Sequence, residues 1–221
     1  MNGPNTRNKP TAYVPLPRRN SQGWVDSSGN FWLYGGYGYS SSRLDNDAKN
    51  SAQGYLSDLW MFNPNTNQWK GINTYSYLNR PGSYGTRGIP SIYNQPGARS
   101  NSMAWIDSYD DLWLFGGEGY ASSKYSYSNA GTLSDVWKYN SKTKEWTWVS
   151  GLDNYYEFAS HGIKGVSSIE NTIGARRYSH IQKDFFNNIW IFGGIGYGED
   201  GYIGERNDLW KITGNSMQPQ P

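Results

Sequence analysis

Arg99-Ser-Asn-Ser-Met-Ala-Trp105-Ile-Asp107-Ser-Tyr-Asp-Asp-Leu-Trp113-Leu-Phe-Gly116-Gly117 decides the fold, because the chain carries this pattern three times. The first copy runs from Arg18 through Trp24, Asp26 and Trp32 to Gly35 and Gly36. The third runs from Arg176 through Asp184 and Trp190 to Gly193 and Gly194. The interval from Arg to the first Gly is 17 residues in every copy. Further out, each Gly pair is followed by Asp-Leu/Val-Trp, at Asp58–Trp60, Asp135–Trp137 and Asp208–Trp210. Trp69 and Trp146 stand nine residues beyond the first two of these, and 30 residues lead from each to the next Arg. Only the interval from the first Gly to the Asp varies, at 23, 19 and 15 residues, so the period is 81 and then 77. Fixed spacings with one variable loop are the pattern of stacked equivalent units.

Each unit reads as four strands. In the middle unit these are Met103–Ile106, Leu112–Phe115 ending at Gly116 and Gly117, Asp135–Tyr139, and Glu145–Val149. The second is continuously apolar, as expected of a strand covered on both faces. Asp26–Asn30, Asn63–Asn67 and Asn140–Lys144 are short polar turns between strands. Few stretches avoid Gly, Pro, Asn and Ser for long enough to form a helix, so the chain reads as all-β. Its 11 Trp, 19 Tyr and 7 Phe must supply the core that Leu, Ile and Val usually provide. The sequence divides into an N-terminal extension at 1–16, units at 17–95, 96–173 and an incomplete 174–212, and a tail at 213–221.

A net charge of +2 and no run of five Lys or Arg leave no footprint for nucleic acid. No apolar run reaches 18 residues, so no membrane insertion is expected. The chain has no Cys, which removes disulfides, thiolate nucleophiles and Cys metal ligands together.

The Arg, the Gly pair closing an aromatic strand, the Asp-Leu-Trp and the later Trp resemble the kelch motif. Tyr84-Gly-Thr-Arg-Gly88, Pro96-Gly-Ala-Arg99 and Leu133–Tyr139 are similar to the long-repeat bacterial type, related to the galactose oxidase central domain. The resemblance spans about residues 17–212. It implies four-stranded blades of a β-propeller, and an extracellular or cell-surface setting. The start carries no signal-peptide apolar stretch, which leaves the cytoplasm open. Galactose oxidase chemistry needs a Cys-linked Tyr beside copper, so a chain without Cys cannot form that cofactor, and no cofactor is expected.

Several residues invite a functional reading. Gly35, Gly36, Gly116, Gly117, Gly193 and Gly194 read as positions where backbone approaches closely. Trp60, Trp137, Trp210, Trp69 and Trp146 read as packing between units. Arg18, Arg99 and Arg176 carry five-donor forks that can brace loops or hold a ligand; the resemblance implies that they brace neighbouring blades. Of the two His, His161 and His180, neither has a ligand-spaced partner, and no metal site is assigned. Asp45-Asn-Asp47 and Gly198-Glu-Asp-Gly201 place oxygens at short spacing; Ca²⁺ is one reading and a solvated loop the other. The stretches preceding Arg99 and Arg176 hold Tyr75, Tyr77, Tyr84 and Tyr93, then Tyr155, Tyr156 and Phe158. Tyr beside Asn and Ser suits a glycan or a protein partner.

The resulting expectation is a non-catalytic binding or scaffold module, not an enzyme, with a lectin-like glycan binder as the alternative and a propeller enzyme with a channel site behind it. Three units are too few to close a ring. The sequence therefore leads to a homo-oligomer, a dimeric six-bladed ring, or to a larger assembly or missing sequence that completes it.

Overall fold

The computed structural model describes residues 14–39, 52–74, 77–124 and 129–213. Among them there is no helix, and the strands form four antiparallel sheets. Unit 1 comprises β1 (Arg18–Arg19), β2 (Gln22–Val25), β3 (Phe31–Tyr34), β4 (Tyr37–Tyr39), β5 (Gln53–Tyr55), β6 (Leu59–Asn63) and β7 (Gln68–Asn73). One of its sheets runs β2-β3-β6-β7 and the other β1-β4-β5. Unit 2 is one five-stranded sheet of β8 (Arg99–Ser100), β9 (Met103–Ile106), β10 (Leu112–Gly119), β11 (Gly131–Asn140) and β12 (Glu145–Ser150). Unit 3 has β13 (Arg176–Arg177), β14 (His180–Lys183), β15 (Ile189–Tyr197) and β16 (Ile203–Ile212).

In unit 1 the strand stops at the Gly pair, as the sequence suggests, and resumes as β4 in a second sheet, whereas in units 2 and 3 it runs through the pair. β10 pairs with β9 through Phe115, shifts register between Phe115 and Gly117, and then pairs with β8 at Glu118 and Gly119. Gly116 and Gly117 have φ of 60° and 97°, in the left-handed region that favours glycine. They form a bulge that carries the strand onward. A Cβ on Gly116 would also lie 2.7 Å from the Arg176 carbonyl oxygen of the next unit. Much of the variable interval is therefore strand, and its length variation sits beyond Gly119 and before Gly131.

Strand alternation gives each unit two apolar faces. The leading face of unit 1 carries Trp24, Trp32 and Tyr34. It packs on the trailing face of unit 2, formed by Leu112, Leu114, Trp137, Tyr139, Trp146 and Trp148. The leading face of unit 2, with Met103, Trp105, Trp113 and Phe115, packs on Ile189, Ile191, Trp210 and Ile212 of unit 3. Adjacent β10 residues thus serve different cores, which explains its unbroken hydrophobicity. Trp69 sits with Phe31 and Phe62 on the trailing face of unit 1, outside both cores.

Hairpin tips repeat as well. Asp26, Asp107 and Asp184 each accept backbone N–H bonds within their own turn and the indole N–H of the Trp six residues on, at 2.8–2.9 Å. Each carboxylate thereby fixes both the turn and the rotamer of a Trp, which lies in a core for Trp32 and Trp113 and on the leading face of unit 3 for Trp190.

Trp137 is fully buried, whereas Tyr77 is exposed. Trp137→Ala should cost about 3–5 kcal/mol and Tyr77→Ala under about 1 kcal/mol in urea unfolding. Equal losses would place Tyr77 in the core.

Candidate functional site

The three arginines singled out by the repeat are buried braces. Arg18 makes a two-pronged pair with Asp58 at 2.6 and 2.8 Å, Arg99 with Asp135 at 2.6 and 2.7 Å, and Arg176 with Asp208 at 2.8 and 3.0 Å. Each also donates to the carbonyl of the first Gly, Gly35, Gly116 or Gly193. Each Asp additionally accepts the indole N–H of Trp60, Trp137 or Trp210. The brace therefore ties strands of one unit to each other, while the backbone carbonyls of Arg99 and Arg176 reach the neighbouring unit, and Arg176 also donates to the Ile173 carbonyl of the preceding loop. Buried this way, the forks are closed to ligand. Burial alone would lower the Arg99 pKa, but the Asp135 carboxylate reverses the direction and keeps the guanidinium charged. Burial would raise the Asp208 pKa, but hydrogen bonds from Arg176 and Trp210 outweigh it and hold the carboxyl well below the usual range.

The stretches before Arg99 and Arg176 are built alike. Gly85 and Gly162 have φ of 63° and 58°, and Gly88 and Gly165 have 80° and 81°. Asn94 and Asn171 donate side-chain N–H to Ile89 and Val166 carbonyls. Tyr84 drops from the first stretch onto unit 2, donating its hydroxyl to Asp135 at 2.5 Å and packing its ring on Trp137 at 4.8 Å. Burial, and then the Asp135 charge, push its hydroxyl pKa well up. His161, 77 residues later, takes the same place in unit 3. It stacks on Trp210 at 5.1 Å, and its ring nitrogens lie 3.2 Å from Asp208 and from Glu199.

The sequence-predicted tyrosines accordingly part company. Tyr84 and Tyr155 are buried; they complete the units and cannot line an open surface. Tyr77 and Tyr93 are exposed, as are Tyr156 and Phe158. Tyr75 and the Asp45–Asp47 loop lie outside the described residues.

Among the described aromatics of these stretches, Tyr156 and Phe158 join a larger feature. A band of side chains crosses all three units beyond the Gly pairs. Arg19 lies 4.8 Å over Tyr37, Tyr37 meets Tyr55 at 5.2 Å, and Tyr55 meets Tyr120 at 6.0 Å. Glu118 hydrogen-bonds Tyr55 and pairs with Arg177 at 2.5 Å. Tyr197 is 5.4 Å from Tyr156 and 5.9 Å from Phe158. Burial and the Glu118 carboxylate push the Tyr55 hydroxyl up to about 12, so it stays a hydrogen-bond donor at neutral pH. Most of this band escapes a sequence reading centred on loops. Its signal lies inside the repeat: positions 19, 100 and 177, each after an invariant Arg, read Arg, Ser and Arg, while 37, 118 and 195, each between invariant Gly, read Tyr, Glu and Ile.

In the Gly198–Gly201 loop, Asp200 pairs with Arg206 and Glu199 with His161. Among the described residues no three His, Asp or Glu side chains converge for a metal ion. A cavity of about 200 Å³ lies between units 2 and 3, lined by Trp105, Trp113, Lys138, Lys183 and Ile212. Thr213, the last described residue before the tail, forms part of its lip.

No protein-family model and no curated protein sequence matches the chain. Among solved structures, that of YjhT is similar at 10% identity with a TM-score of 0.48, over 89% of this chain and 52% of that one. The chain spans about half the length of that structure.

Asp208 is charged in the folded state below its unfolded value near 3.9. Its contribution is complete above that value and is lost as pH falls toward the lower folded pKa. Thermal unfolding should therefore show Asp208→Asn well below wild type at neutral pH, with the gap narrowing progressively as the pH falls below about 3.9. A gap independent of pH would show that charge is not what Asp208 supplies. Arg99→Lys keeps the charge but loses the fork, and should cost about 3–5 kcal/mol, as for other broken buried pairs.

Proposed function

We propose that the chain is a non-catalytic binding scaffold whose units are blades of a kelch-type β-propeller and whose aromatic band engages a glycan or protein partner. The blade reading is supported by meandering antiparallel sheets that repeat every 77–81 residues and pack face to face through aromatic residues. The binding reading is carried by the band running from Arg19 through Glu118 and Arg177 to Phe158. Its rings are held in place by ion pairs and edge contacts, so little side-chain entropy remains to be lost on binding. Tyrosine faces offer stacking area and their hydroxyls offer hydrogen bonds, a combination suited to flat polar ligands.

A glycan array addresses the sugar arm, and cross-linking with mass spectrometry addresses the protein arm. The double variant Tyr156→Ala/Phe158→Ala should keep its circular dichroism spectrum and weaken binding about tenfold or more, the usual effect of removing aromatic anchors. Binding unchanged in that variant would sink the assignment of the band.

A further inference from the structure

We infer that a second copy of this chain docks head-to-tail on the first, the leading face of unit 3 against the trailing face of unit 1, closing two copies into one ring. The junction already occurs twice inside the chain. The leading face of unit 1 meets the trailing face of unit 2, and the leading face of unit 2 meets the trailing face of unit 3. Among the described residues the two remaining faces are the same pair.

Three features give this pairing its register. Gly35 sits where a Cβ would be 2.7 Å from the Arg99 carbonyl oxygen, and Gly116 where it would be 2.7 Å from that of Arg176. Gly193 has the same backbone, φ 62° against 62° and 60°, yet no arginine carbonyl from a following unit approaches it among the described residues. The Arg18 carbonyl of a second copy is the group that fits. A backbone ladder runs alongside. Asn101 N–H donates to the Asn20 carbonyl at 3.1 Å, and Tyr178 N–H donates to the Asn101 carbonyl at 3.2 Å. These three residues share left-handed φ values of 56°, 56° and 61°. The Asn20 N–H of a second copy and the Tyr178 carbonyl continue that ladder by one rung.

The side chains agree. The trailing face of unit 1 carries Phe31, Leu33, Trp60, Phe62 and Trp69, in register with Leu112, Leu114, Trp137, Tyr139 and Trp146 of unit 2. The leading face of unit 3 keeps Trp190, Phe192 and Leu209, with Gln182 where units 1 and 2 have Trp24 and Trp105. Phe192 and Leu209 are exposed. Such polar dilution suits a face that meets water before it meets its partner. The number of copies rests on the propeller reading: with the three described units in each copy, a ring of 4–8 blades takes two. The docking faces do not depend on it.

Light scattering behind a sizing column decides the matter. The wild type should have twice the 25.0 kDa chain mass. Phe192→Glu on one face, or Leu33→Glu on the other, should each give a monomer with an unchanged circular dichroism spectrum. If Leu33→Glu does not fold, Phe62→Glu probes the same face. Mixing the two monomeric variants should restore a dimer, since one keeps a sound leading face and the other a sound trailing face. A wild-type monomer, a species larger than the dimer, or a mixture that stays monomeric would overturn the inference. So would dimerisation that Phe192→Glu leaves intact, because that contact would join like faces. The Tyr156→Ala/Phe158→Ala variant should remain dimeric, which separates this junction from the binding band.

Discussion

Arg99 and Asp135 meet almost entirely out of water, with side chains 1% and 0% exposed. Two ions so placed each lose several kcal/mol of hydration, which a lone contact does not restore. Here the loss is offset by complete pairing. Asp135 accepts from both guanidinium prongs, from the Trp137 indole and from the Tyr84 hydroxyl, while Arg99 also donates to the Gly97 and Gly116 carbonyls. The value of the cluster is positional. It fixes the end of β8, the bulge in β10, the start of the Trp-bearing part of β11 and the preceding loop relative to one another. The two apolar faces can then alternate in register, and the aromatic band beyond the Gly pairs inherits its spacing from them.

The period-based part of this architecture was open to sequence reading because it rests on invariant intervals. The strand Met103–Ile106 emerges with the bounds its alternation predicts, and Glu145–Val149 gains one residue. In units 2 and 3 the Gly pair is a bulge and not the stop that it is in unit 1, since a glycine requirement looks the same in sequence whether a strand ends or bulges. The bulge is visible only in the pairing of β10 with two short partners on one side.

Irregular loops have no period, so the fate of their tyrosines could not be read from spacing within one loop. Tyr84 and Tyr93 lie nine residues apart in similar company, yet one is buried on an ion pair and the other faces solvent. Comparing the two loops was the available signal. Tyr84 and His161 share their offset from the next arginine, as do Asn94 and Asn171, and a shared offset in a loop marks a structural duty. The band residues at 37, 118 and 195 show the reverse, differing at a fixed offset where neighbours do not, as surface positions do.

The three braces are not equal. In unit 2 the cap is a buried phenol. In unit 3 it is His161, half open to water, the Asp208 side chain is 17% exposed, and the Arg176 Nε is buried with no partner among the described residues. In a stacked array each unit draws stability from itself and its nearest neighbours, so the middle unit, covered on both faces, is the last to open. In a single copy outside the ring, local unfolding then has a direction: it starts at the ends, and slow amide exchange should concentrate in β10 and β11. Opening of unit 3 alone would bare Trp105, Trp113 and Phe115 together, so the same repetition that makes the junctions self-complementary also makes a frayed molecule adhesive.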